Sequence, residues 1–152
     1  MEVDVSPGLP GFEIVGLPDA AVREARERVR AAIRNGGWSF PLQRITVNLA
    51  PAHTRKVGAG FDLAIALGVL AASGCFPPEE LEGLAFAGEL ALDGSLRPIR
   101  GALTMAAAAR HTRALVLPPG SAEEAASGGG RVLMAHSLGE IVEHLRSERA
   151  LC

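Results

Sequence analysis

The sequence predicts an α/β fold of the α+β kind, a mixed β-sheet packed with helices. Three observations predict it. Short aliphatic and β-branched runs alternate with segments of helical period, in the order β-β-α-β-α-β-β-α-β-α-β-α. The alternation toward the C-terminus implies parallel crossovers, while an Asp93-Gly94 hairpin signal adds an antiparallel pair. The composition, 48% apolar and 21% charged over 152 residues, suits a single domain, 1–152, with one core. Five Phe, one Trp and no Tyr leave that core to Ala, Leu, Val and Ile.

Each element has its own signal. Val3 and Val5 alternate with acids and open a short strand, and the Ser-Pro-Gly-Leu-Pro-Gly run at 6–11 is turn chemistry. A second strand spans 12–15. Gly16-Leu17-Pro18-Asp19 breaks the chain, with Asp19 as the N-cap of a helix over 20–34. Val22, Ala25, Val29, Ala32 and Ile33 form the apolar face of that helix; Arg23, Arg26, Arg30 and Arg34 share the opposite side, with Glu24 and Glu27 interleaved. Asn35-Gly36-Gly37 stops it. Residues 45–49 read as a strand, 50–60 as a basic loop, and 61–73 as a nearly all-apolar helix ended by Gly74 and Pro77-Pro78. Strands at 84–90 and 95–99 flank the hairpin turn. A helix over 102–110, a buried strand at 114–117, a brief helix at 122–126, a turn at Gly128-Gly129-Gly130, a strand at 131–135 and an amphipathic helix at 138–146 complete the chain.

Charge and targeting signals narrow the function classes. A formal net charge of -2 gives no bulk reason to expect nucleic acid. Lys56 is the only lysine; the other basic residues are Arg, a usage that follows from a GC-rich genome and also supplies forked donors for phosphate and carboxylate. Cys75 and Cys152 lie too far apart to suggest a disulfide framework, which points to a reducing cytoplasm. The N-terminus has no basic and apolar signal regions, and the longest apolar run, 63–72, is too short to span a bilayer, so no membrane partner is expected.

Candidate chemistry is sparse. No Gly-x4-Gly-Lys-Ser/Thr frame surrounds Lys56, so specific ATP binding is not expected; Gly58-Ala59-Gly60 could offer backbone N–H groups to an anion. His53, His111, His136 and His144 sit at no ligand spacing with one another or with a Cys, and no metal site is expected. The loop from Asn48 to Leu63 is the most distinctive stretch. Arg55 and Lys56 suit phosphate, with His53 and Thr54 as further donors. The plainer alternative is a solvated loop in which Asp62 caps a turn or pairs with Arg55. The Arg stripe of the first helix likewise has a plain reading, a polar face laced by Glu–Arg pairs.

Four runs carry a resemblance to a known family: Val3-Asp4-Val5-Ser6-Pro7-Gly8-Leu9-Pro10-Gly11-Phe12-Glu13-Ile14-Val15-Gly16-Leu17-Pro18-Asp19, Val47-Asn48-Leu49-Ala50-Pro51-Ala52, Phe61-Asp62-Leu63-Ala64-Ile65-Ala66-Leu67-Gly68, and the hairpin from Gly88-Glu89-Leu90 to Gly94-Ser95-Leu96-Arg97-Pro98-Ile99. Together they resemble the N-terminal domain of the YifB/ComM family of magnesium-chelatase-like AAA+ ATPases, and the likeness runs from Val3 to about Leu145. The resemblance implies an AAA+ module downstream, absent from this chain, that binds ATP and Mg2+, with no cofactor in this domain itself. It implies a cytoplasmic, hexameric ring whose partners are the AAA+ module, neighbouring subunits and DNA. ComM-type members are associated with natural transformation and branch migration as ring-shaped helicases. Family chains usually begin with another strand before Val3-Asp4-Val5, so that sheet edge is expected to be open.

The domain is also similar to the proteolytic domain of Lon and the C-terminal domain of RadA, a fold shared with the second domain of a ribosomal small-subunit protein. Lon-type proteases use a Ser-Lys dyad. Gly58 stands where the serine would be, and Leu96-Arg97-Pro98-Ile99-Arg100-Gly101 leads to Ala102 and Leu103 with no lysine near. The resemblance therefore implies the fold without the protease chemistry. The expected role is a non-catalytic domain that contacts DNA or organises the ring. Arg55, Lys56, Arg44 and His53 are the expected phosphate contacts, with Arg23, Arg26 and Arg30 behind them. The alternatives are an interaction or oligomerisation scaffold without DNA contact and, less favoured, a peptidase.

Overall fold

A computed structural model describes residues 1–50 and 58–152. Its elements are β1 (Glu2–Ser6), β2 (Gly11–Val15), α1 (Ala20–Asn35), β3 (Arg44–Asn48), α2 (Asp62–Ala72), a 3-10 turn (Pro78–Leu81), β4 (Leu84–Phe86), β5 (Glu89–Leu90), β6 (Leu96–Arg97), α3 (Ala102–Ala108), β7 (Ala114–Leu117), α4 (Pro119–Ala125), β8 (Val132–Met134) and α5 (Leu138–Leu145). The class is α+β, as the sequence predicts. The expected mixed sheet is divided, among the described residues, into β1-β3-β2, β4-β7-β8 and the hairpin β5-β6.

In the first sheet β1 runs antiparallel and β2 parallel to β3. Val3 and Ile14 flank Val47, and Val5 and Phe12 flank Ile45. Strand alternation turns these residues to one face, where they pack against α1 and α2. The other face carries Glu2, Asp4, Glu13, Arg44, Thr46 and Asn48 toward solvent. Residue 16 must be glycine on two counts: its φ is +106°, and a Cβ there would stand 2.1 Å from the Leu49 carbonyl oxygen. That close approach lets the chain leave β2 and enter α1 beside the end of β3.

The segment read as one strand over 84–90 is broken in two. Ala87 N still donates to Val116 O in the β7 direction. Gly88 leaves the ladder: its N–H goes to Gly60 O, and its carbonyl accepts from Leu63 N at the start of α2. Thus β4 stays with β7, while β5 turns into the hairpin. The helix expected at 122–126 begins earlier, at Pro119, because proline suits the first helical turn. This puts Ser121 inside, where its hydroxyl accepts from Ile99 N at 2.9 Å.

Two clusters form the core. The larger joins the first sheet, α1, α2 and α5; the smaller lies between Leu115 and Leu117 of β7 and the helices α3 and α4. β1 and β4 are edge strands among the described residues, and their edges flank a groove of about 490 Å³ lined by Met1, Val3, Leu67, Gly68, Leu84 and Phe86.

Candidate nucleic-acid interface

α1 places Arg23, Arg26 and Arg30 of the predicted basic residues. Val22, Ala25, Val29, Ala32 and Ile33 are buried, as their spacing requires, so Arg23, Arg26, Arg30 and Arg34 face outward. The cap is as read: Asp19 Oδ1 accepts from Val22 N at 2.8 Å. Its Oδ2 accepts from Gly58 N at 3.1 Å. One carboxylate therefore ties the start of α1 to the turn that follows the basic loop, and Arg23 stands one helical turn from that tie. His53, Thr54, Arg55 and Lys56 lie outside the described residues.

The outward guanidiniums are not equivalent. Arg23 is exposed. Arg26 donates to Phe12 O at 3.4 Å, on the edge strand β2. Arg30 pairs with Glu27 at 3.1 Å and lies 5.4 Å above the Phe40 ring; Arg34 lies 5.9 Å from the same centroid. Phe40 in turn stacks on Phe12, with centroids 5.6 Å apart. Arg44 belongs elsewhere. It begins β3, while the basic loop follows the far end of that strand, about 13 Å on at the usual rise. It also projects from the open face that bears Glu2, Asp4 and Glu13, whose carboxylates oppose a bound phosphate. The structure thus brings Arg23 toward the loop end and separates Arg44 from it.

One buried ion pair runs against the sequence reading. Asp62 is neither solvated nor a turn cap; it is wholly buried at the start of α2. Arg28, half-buried on α1, grips it with Nε at 2.6 Å and a second nitrogen at 3.0 Å, and Leu90 N donates at 3.0 Å. Burial pushes the Asp62 carboxyl up, while the Arg28 bond and the Leu90 N–H act in the opposite sense. The Asp62 bond in turn raises the Arg28 guanidinium. The signal for this pair was a lone carboxylate opening an all-apolar helix, which needs a cation from another element.

Beside Gly58 and Gly60 opens a cleft of about 900 Å³, walled by Phe61, Ala85, Ile99, Arg100 and Met105 among others. Gly58 lines it; Leu103, 43% exposed on α3, does not. Among the described residues no group of three or more His, Cys, Asp or Glu could hold a metal ion, and no helix is long and apolar enough to cross a membrane. Cys75 and Cys152 are free thiols.

The chain is similar to known proteins over most of its length. The family model described as subunit ChlI of Mg-chelatase matches residues 1–121. An uncharacterized protein of Mycobacterium tuberculosis is 43% identical over 154 residues, covering 99% of this chain and 31% of the relative. Competence protein ComM of Haemophilus influenzae is 41% identical over 153 residues, covering 99% of this chain and 30% of its own length. A YifB protein of Escherichia coli is 40% identical over 153 residues, with the same coverage as ComM. The chain spans about a third of the length of these relatives.

Proposed function

Since the chain belongs to the Mg-chelatase subunit ChlI family, we propose that it serves as the non-catalytic N-terminal domain of a ComM-like AAA+ ATPase and contacts DNA in that setting. The ATP and Mg2+ that such a motor needs belong to the remainder of the longer polypeptide; this chain has no phosphate-loop frame of its own. The observation that carries the DNA contact is the Asp19 tie. It holds Gly58, two residues after Lys56 in sequence, against the start of the helix face that carries Arg23, Arg26 and Arg30. Arg44 is the weakest member of the set, for its neighbours are acids. The relative named competence protein supports a DNA-handling setting.

Fluorescence anisotropy with labelled single- and double-stranded DNA, at about 50 and 200 mM salt, tests the reading. Binding that weakens and loses salt dependence in an Arg55→Ala/Lys56→Ala variant, and again when Arg23→Ala is added, is the expected result. No binding at the lower salt would sink the DNA contact. It would favour a scaffold that docks protein partners, for which the largely apolar 900 Å³ cleft offers a surface. A peptidase is the least supported reading, because Gly58 has no side chain to attack a carbonyl and Leu103 no amine to activate one. A fluorogenic-peptide assay with the pure chain should stay blank.

A further inference from the structure

The first sheet turns one face to solvent, and strand register fixes which residues share it. Across β1, β3 and β2 the rows are Glu2–Asn48–Val15, Asp4–Thr46–Glu13 and Ser6–Arg44–Gly11. The alternate residues, such as Val3, Val47 and Ile14, turn inward to the core. Glu2, Asp4 and Glu13 are exposed, and so is Val15, at 44%. Glu2 and Asp4 stand about 7 Å apart along β1, and Asp4 and Glu13 about 10 Å apart across β3. None of these three carboxylates makes an ion pair among the described residues, and neither does Arg44.

α1 carries the complementary pattern. Arg23, Arg26 and Arg30 follow one another by about 4.5 and 6 Å along its axis, so the outer two are about 10 Å apart. That is the spacing of Asp4 and Glu13. The helix acids Glu24 and Glu27 have side chains 70% and 76% exposed, and they complement Arg44, the cation of the sheet face. One copy cannot bring its own two patches together, because α1 packs on the inward face of the same sheet.

We propose that the solvent face of the first sheet docks the arginine flank of α1 from a second copy of this chain, with Asp4 and Glu13 opposite Arg23, Arg26 and Arg30. The contact joins unlike patches of the two copies. Three five-residue strands make a face of about 17 by 14 Å, roughly 240 Å², against the ~800 Å² per partner of a stable complex. Val15 is its one exposed large apolar side chain. The contact is therefore weak and salt-dependent, and it sets the orientation of neighbouring copies more than it holds them. The same three carboxylates repel a phosphate backbone from this face. A copy docked through α1 cannot lend those arginines to DNA, so the two uses compete.

The test is sedimentation equilibrium of the chain up to about 0.5 mM, at about 30 and 300 mM salt. The unmodified chain should associate at the lower salt and be monomeric at the higher. A Glu2→Gln/Asp4→Asn/Glu13→Gln variant and an Arg23→Gln/Arg30→Gln variant should each associate at least about fivefold more weakly. An equimolar mixture of the two should associate again, because the first keeps α1 and the second keeps the sheet face. That recovery also shows that both variants are folded. A chain that stays monomeric at the lower salt would overturn the proposal, and binding of poly-lysine by that monomer would assign the face to another basic protein. A sheet-face variant that associates like the unmodified chain would overturn it as well, as would a mixture that stays monomeric. No nucleic acid is present, so the result is independent of the DNA reading, and failure of DNA binding would leave this contact standing.

Discussion

Arg28 shows how one residue departs from the pattern of its helix. The other arginines of α1 face outward, yet Arg28 reaches Asp62 at 2.6 Å and also donates to Ala21 O at 2.7 Å. Removing one member of a buried pair strands the other charge. Arg28→Ala should therefore lower stability by about 3–5 kcal/mol in urea denaturation. A loss under about 1 kcal/mol, the range of an exposed pair, would mean that Asp62 is adequately served by the Leu90 N–H. A second carboxylate behaves oppositely. Asp93 at the hairpin turn accepts from the Ser95 hydroxyl at 2.7 Å and the Ser95 N–H at 2.9 Å, and these bonds hold its carboxyl below the usual range. A depressed folded-state value means that its contribution is present above the ordinary carboxylate range and is lost as pH falls through the lowered one. NMR titration should find Asp93 ionising below the ordinary range, and Ser95→Ala should return it upward.

At the scale of elements, α1 is fixed at its start by two residues outside its buried face. Asp19 caps it, and Gly16 gives it room to begin. Asp19→Ala should cost about 1 kcal/mol or more, as the loss of a cap. It should also loosen Gly58, which thermal melting and amide exchange of Gly58 would report separately. Gly16→Ala faces both a left-handed φ and a 2.1 Å approach to Leu49 O, so it should be the costlier change, at about 1–3 kcal/mol for the backbone strain alone. A melting temperature equal to that of the unmodified chain would contradict the close packing of β2 against the end of β3.

Over the whole molecule, α2 is the common support. It packs on β1, β4, β5 and α1, and most of its residues are buried. It also receives the Arg28 bond and the Gly88 contact that splits β4 from β5. Its central amides should be the last to exchange with solvent, at a free energy near that of global unfolding. Faster exchange in α2 than in α3, whose Ala102 and Ala106 belong to the smaller cluster, would show that the two core clusters open separately.

The sequence by itself determined nearly every element, because local period, caps and turn residues act within a few positions. Asp19 is legible as a cap, Val22 to Ile33 as a buried face, and Asp93-Gly94 as a hairpin turn. Four long runs also sufficed to identify the family. Only the tertiary structure decided where the sheet divides, since Gly88 is claimed by Gly60 and Leu63 from another element. It alone found the partner of Asp62, 34 residues away on α1, and alone set Arg44 on the sheet face that bears Glu2, Asp4 and Glu13. The reason is physical: a charge acts on whatever the fold sets beside it, and no periodicity along the chain records what lies across a sheet or between two helices.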